Sequence, residues 1–303
     1  MIQTVTGPIE AADLGVTLPH EHLFINLMRE YRGDGLLNDP DLVEHELRLY
    51  SDLGGSSIVD VTSSGLDRNP LALLDASRRT GLNVVMGCGY YRDPYLPNED
   101  VDTTTVEGLS ERIVNDLDVG VDGTGIRAGV IGEVGSDKWF VSAREERSLR
   151  AAGRAQARTG AALTTHSARW PVGMPQLDIL EEEGVDLRRV IVGHSDSVPD
   201  TEYHLALARR GAYVQFDMLG IYTSEYDQEQ RIRYIKNLVE SGFGDHVLLS
   251  HDVCLRGMLT VNGGVGYGHI LRDFVPRMRA ADISDDLIER MLVTNPARAL
   301  EPQ

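Results

Sequence analysis

Strand-length apolar runs and amphipathic stretches alternate along almost the whole 303-residue chain. The apolar runs cover 16–18, 57–61, 83–88, 127–133, 161–166, 190–194, 212–217 and 247–252. Stretches of helical period fill 41–53, 70–80, 106–117, 143–158, 174–183, 201–210 and 228–241, with a last one over 284–292. Strict alternation points to a parallel sheet, because parallel neighbours are joined through a crossover, usually a helix. Eight such units predict an α/β fold of the (β/α)8 TIM-barrel type. An open doubly wound sheet is the alternative. It normally carries a glycine-rich phosphate turn after its first strand, and none follows here. Gly263, Gly264 and Gly266 lack both a P-loop lysine and a dinucleotide fingerprint, so they read as a flexible loop. Helix ends are marked by a capping box, Ser142 with Glu145, and by Gly160, Gly184 and Gly211. No linker or low-complexity tract interrupts the pattern, so one domain over 1–303 is expected.

Barrel active sites gather at the carboxyl ends of the strands. Six residues with metal-binding side chains end or closely follow the apolar runs: His20, His22, Glu133, His166, His194 and Asp252. His20 and His22 are one residue apart, so on a strand they point the same way. Nitrogen and carboxylate ligands without thiolate suit two divalent ions: zinc, manganese, cobalt or iron(II). Glu21, between the two histidines, faces the other side and reads as a structural hydrogen-bonding group. His251 faces away from the Asp252 side by the same parity. His45, His204 and His246 read as surface or packing residues.

Composition narrows the function. Net charge is −18 with no basic cluster, which argues against nucleic acid or an anionic membrane as partner. No apolar run approaches a membrane span, and no secretory signal pattern opens the chain. Cys88 and Cys254 are isolated and read as buried thiols of a cytoplasmic protein. No G-x-S-x-G elbow supports a serine nucleophile.

The segment Gly15-Val16-Thr17-Leu18-Pro19-His20-Glu21-His22-Leu23 resembles the signature of the phosphotriesterase family, within the amidohydrolase superfamily. Gly193-His194-Ser195-Asp196, Ser250-His251-Asp252 and Thr294-Asn295-Pro296-Ala297-Arg298 extend the resemblance in the family's order. It implies a barrel, a binuclear metal centre and hydrolysis by a metal-bridging hydroxide. It also implies that His20, His22 and Asp252 hold the more buried ion, and His166 and His194 the more exposed one. Many members bridge the ions with a carbamylated lysine; here Glu133 stands at that strand end. That departure, with Gly89-Tyr90-Tyr91 and Gln215-Phe216-Asp217, resembles the branch called phosphotriesterase homology proteins. Lys138 and Lys236 are the chain's two lysines, and Lys138 reads as an exposed loop residue.

The resemblance makes Asp252 the expected proton shuttle and places Tyr91 near the bridging hydroxide. Arg256 and His269, beyond the last strand, are further candidates for substrate contact. The expected substrate is a small molecule, a carboxylic ester or lactone first. An N-acyl amide is the alternative, with phosphotriesters as a side activity. A homodimer is the family-based expectation.

Overall fold

The computed structural model describes residues 1–302. Its central sheet holds eight strands: β1 (Thr17–Glu21), β2 (Ser57–Asp60), β3 (Asn83–Cys88), β4 (Val130–Gly135), β5 (Ala162–His166), β6 (Val190–Gly193), β7 (Tyr213–Phe216) and β8 (Val247–Leu249). Successive strands pair in parallel from β1 to β8. Seven long helices cover the outside: α1 (Pro40–Asp52), α2 (Pro70–Thr80), α3 (Val106–Asp118), α4 (Ala143–Thr159), α5 (Gly173–Glu182), α6 (Thr201–Arg209) and α7 (Glu225–Glu240). This is the (β/α)8 barrel that the alternation predicts.

Local chemistry sets the helix ends. Asp39, Asn69, Thr105, Asp200 and Ser224 each accept backbone N–H groups at the start of α1, α2, α3, α6 and α7. The Ser142–Glu145 box is formed at α4, with Ser142 N–H donating to Glu145 Oε2 at 2.9 Å. Gly160 ends that helix at φ 69°, a left-handed conformation open to glycine at little cost.

Strand parity divides the core. Ile58, Val84 and Leu163 face outward into the large cluster shared with the helices. Their neighbours Val59, Val85 and Ala162 join Val130, Ile2, Leu14 and Leu300 in a second cluster inside the barrel. Ile2 belongs to an N-terminal hairpin (Ile2–Thr4 with Gly7–Ile9) that the sequence pattern did not reveal. Each fully buried aliphatic side chain here contributes roughly 1.5–3 kcal/mol relative to exposure.

Three boundaries differ from the sequence expectation. β1 continues through His20, so both its register and its end carry ligand-type residues. β8 stops at Leu249, leaving Asp252 beyond the strand at φ 54°. The last helical stretch does not end near Leu292; a wide turn (Arg290–Thr294) leads into Asn295–Leu300. Asn295 explains that continuation, since its Nδ2 donates to Gly244 O at 3.0 Å and Val247 O at 2.9 Å, docking the segment under β8.

Barrel closure rests on side chains and one backbone bond, Asp252 N–H to His20 O at 3.3 Å. Among the described residues no regular ladder joins β8 to β1. Instead the buried Glu21 carboxylate accepts from Ser250 Oγ (2.7 Å), His251 N–H (2.8 Å), His251 Nδ1 (2.9 Å) and Val253 N–H (2.9 Å). Asp60 does similar work at β2, accepting Leu23 N–H at 2.7 Å and Thr62 N–H at 3.0 Å. Cys88 and Cys254 are buried and unbonded to each other.

Candidate metal centre

The carboxyl ends of β1, β4, β5 and β6, with the segment after β8, bring the six expected residues together. Glu133 sits in the middle. Its Oε1 lies 3.5 Å from His22 Nε2, and its Oε2 lies 3.4 Å from His20 Nε2, 3.2 Å from His194 Nε2 and 3.0 Å from His166 Nδ1. Asp252 Oδ1 lies 3.4 Å from His22 Nε2 and 3.7 Å from His20 Nε2. The Asp252 side chain keeps 12% exposure against 2% for Glu133, so Asp252 is the carboxylate that meets the cavity.

The inward nitrogens of His20, His22 and His194 are each aimed by a partner on the far side of the ring. His22 Nδ1 bonds Thr62 Oγ1 at 2.8 Å. Asp217 serves two rings, meeting His194 Nδ1 at 2.9 Å and His20 Nδ1 at 3.2 Å. Gln215 Nε2 lies 3.0 Å from His20 Nδ1 and donates to Asp217 Oδ2 at 2.7 Å. Such outer carboxylates fix ring orientation and tautomer in metal sites. Asp217 and Thr62 carry roles that sequence reasoning did not assign. The signal for Asp217 was its place at the end of the seventh apolar run, on the inward parity of Gln215.

The donor set fits divalent cations. His20 Nε2 is buried and has no hydrogen-bond partner. His194 Nε2 and His166 Nδ1 face each other at 2.8 Å, both against one Glu133 oxygen. Lone pairs converging in this way repel unless protons or cations lie between them. Two overlapping clusters of metal-ligand geometry share Glu133: His20 with His22, and His166 with His194. The protonation pattern carries the same strain. Burial opposes charge on His22, but the Asp252 and Glu133 carboxylates outweigh it and push the imidazole up to about 10. Burial and the neighbouring His194 charge bring His166 down to about 3.

A cavity of about 300 Å³ opens in front of the cluster. Tyr91 lines it, with its hydroxyl 3.2 Å from His166 Nδ1. Arg92 lies over the Tyr91 ring at 5.0 Å and ion-pairs with Glu30 at 2.5 Å and with Asp137. The structure does not bring Arg256 or His269 to this cavity. Arg256 lines a separate small crevice with Leu37, Asp39 and Tyr267, because the chain turns outward after Leu255. His269 pairs with Asp273 at 3.0 Å and packs toward His251. His251 itself is held by Glu21 and accepts from Ile270 N–H at 2.9 Å, outside the cluster. Lys138 is exposed on the loop after β4, and the carboxylate shared by the two ligand clusters is that of Glu133.

The model of the Phosphotriesterase family matches residues 1–300. The chain belongs to the phosphotriesterase family. It is 36% identical to the phosphotriesterase homology protein of Escherichia coli, over 94% of this chain and 97% of that one. The solved structure of that protein superposes with a TM-score of 0.91, at 35% identity, covering 95% of this chain and 99% of the other. An N-acetyltaurine hydrolase of Dictyostelium discoideum is 32% identical over 99% of this chain and 97% of its own. The structure of the lactonase Lmo2620 from Listeria monocytogenes aligns with a TM-score of 0.92 at 29% identity, covering 100% and 99% of the two chains. Phosphotriesterase-family proteins use divalent metals, and the clusters around Glu133 are able to bind them. No helix of the described residues is long and apolar enough to cross a membrane.

Proposed function

We propose that this protein is a binuclear metal-dependent hydrolase of small N-acyl amines, with esters and lactones as substrates of the same centre. The placement of Asp252 carries the reading. It is the one carboxylate that both reaches the ligand histidines and faces the cavity. An amide needs its leaving nitrogen protonated, and a carboxylate so placed can deliver that proton.

His20, His22 and Asp252 would hold one ion, His166 and His194 the other, with Glu133 between them. Zinc is the first expectation, and manganese, cobalt or iron(II) suit the same nitrogen and oxygen donors. Two such ions would supply Lewis acidity and bring the pKa of water toward neutrality. Asp252 accepts the proton of the attacking water and passes it to the leaving atom. Thr62, Asp217 and Gln215 keep the imidazoles fixed through the cycle. Tyr91, beside His166, offers a hydroxyl to the acyl oxygen. No covalent enzyme intermediate is needed.

An amide stands ahead of the lactone because several relatives are N-acetyltaurine hydrolases. The lactone reading is favoured by the Listeria neighbour. The test is metal analysis of the purified protein together with hydrolysis of N-acyl amines, esters, lactones and a phosphotriester. Amide turnover at two metals per chain supports the reading. A protein loaded with metal that turns over only lactones replaces it with the second.

A further inference from the structure

Two cations line the cavity in front of the metal centre, Arg92 and Arg169. They differ in what they touch. Arg92 is neutralised by Glu30 and Asp137 and lies against the Tyr91 and Tyr95 rings. Glu30 and Asp137 are the cavity's acids outside the ligand cluster, and both are engaged by Arg92. Among the described residues no carboxylate lies within 4.0 Å of the Arg169 guanidinium, which makes no hydrogen bond.

The backbone of Arg169 is nonetheless fixed. It has φ 70°, and its N–H donates to Ser197 Oγ at 2.7 Å. Ser197 Oγ in turn donates to His194 O at 2.6 Å. The arginine is therefore held in register with a ligand histidine while its fork of donors is left free. In a chain of net charge −18, where most arginines pair with acids, Arg32, Arg78 and Arg256 also lack an acid partner, but among the unpaired arginines of the described residues Arg169 is the one that lines the substrate cavity. A guanidinium presents parallel N–H donors that match a carboxylate, sulfonate or phosphate.

We propose that Arg169 selects substrates carrying an anionic group away from the scissile carbonyl. The bond broken rests on the function proposed above; the recognition of the anion does not. Specificity of this kind comes from differential binding, since an anion gains the fork and a neutral chain leaves it solvated.

The test compares N-acetyl-β-alanine with N-acetylpropylamine, which differ in the terminal carboxylate. Arg169→Gln is expected to raise KM for the anionic amide about 10–100-fold, the size of one charge-assisted hydrogen bond. kcat for it should change little, and the neutral amide should stay within about 2-fold by the same reasoning. Arg169→Lys should recover part of the affinity, because it keeps the charge but not the fork. Equal losses on both amides, or none on either, would overturn the proposal. Binding separates this inference from the proposed reaction. The zinc-loaded protein is titrated with the ketone analogues in which a methylene replaces each amide N–H. Tighter binding of the anionic ketone, lost in Arg169→Gln, sustains the role of Arg169 even if neither amide is hydrolysed. Equal binding of the two ketones by the native protein removes it, whatever the amide kinetics.

Discussion

Asp217 and His194 are joined twice: the carboxylate accepts the backbone N–H at 2.9 Å and the ring Nδ1 at 2.9 Å, both on the same oxygen. His194 sits at φ 56°, just past β6, where its backbone would otherwise be free to turn. The two hydrogen bonds to Asp217 set both the main chain and the ring. Asp217→Asn should therefore keep the fold but weaken metal binding about 10–100-fold, the usual cost of losing such a partner. Metal competition against a chromogenic chelator measures this. Unchanged affinity would reduce Asp217 to packing.

Asp252→Asn keeps the size and one ligating oxygen but cannot take a proton. If Asp252 moves protons, the variant retains much of its metal yet loses roughly 10²–10⁴-fold in kcat. An ester with a very good leaving group should shrink the defect, since protonation then matters less. Should activity instead return with excess zinc or manganese, Asp252 is a ligand and nothing more.

On the proposed reading Glu133 would bridge the ions without modification, because Lys138 is exposed to solvent and no lysine reaches the cluster. Reconstitution of the metal-free protein is expected to proceed equally with and without added bicarbonate. Lys138→Met should leave activity unchanged, whereas Glu133→Gln should lower metal content to at most about one ion per chain. Bicarbonate-dependent activation would contradict the bridge.

Protons occupy the site in the absence of metal. His22 holds one up to about 10, against an ordinary value of 6.5, through the carboxylates of Asp252 and Glu133 that outweigh burial. Its proton is therefore still bound near neutral pH, and metal must displace it. Loading at about pH 8 is expected to release at least one proton per chain, read by calorimetry in buffers of different ionisation enthalpy. Affinity should fall as pH falls. The sign for the metal-free protein runs the other way. A raised pKa stabilises the fold fully below 6.5, and that contribution is lost as pH rises through about 10. Thermal melts of metal-free protein across that range check it.

Much of the site is legible in the order of residues alone. The spacing of His20 and His22, and the ends of the runs at Glu133, His166 and His194, follow from strand parity and from barrel geometry. Arg256 and His269 lie away from the cavity, because proximity in sequence to Asp252 says nothing about which way a loop leaves the barrel. Asp217 was visible as the end of a strand but not as a partner, since hydrogen bonds between β7 and β6 side chains depend on register. Arg169 carried no sequence signal at all.

Periodicity is written into the chain, and with it come the fold and the set of ligand-type residues at the strand ends. Hydrophobic alternation is a local property, and eight βα units leave few ways to bury their faces. What the polar atoms meet was settled only by folding. Glu21 closes β1 onto the segment after β8, Asp217 aims two rings, and Arg169 is left without a carboxylate. Those outcomes turn on ångström distances between residues remote in sequence. A buried charge is stable only where its partners converge, and convergence is a property of the folded chain.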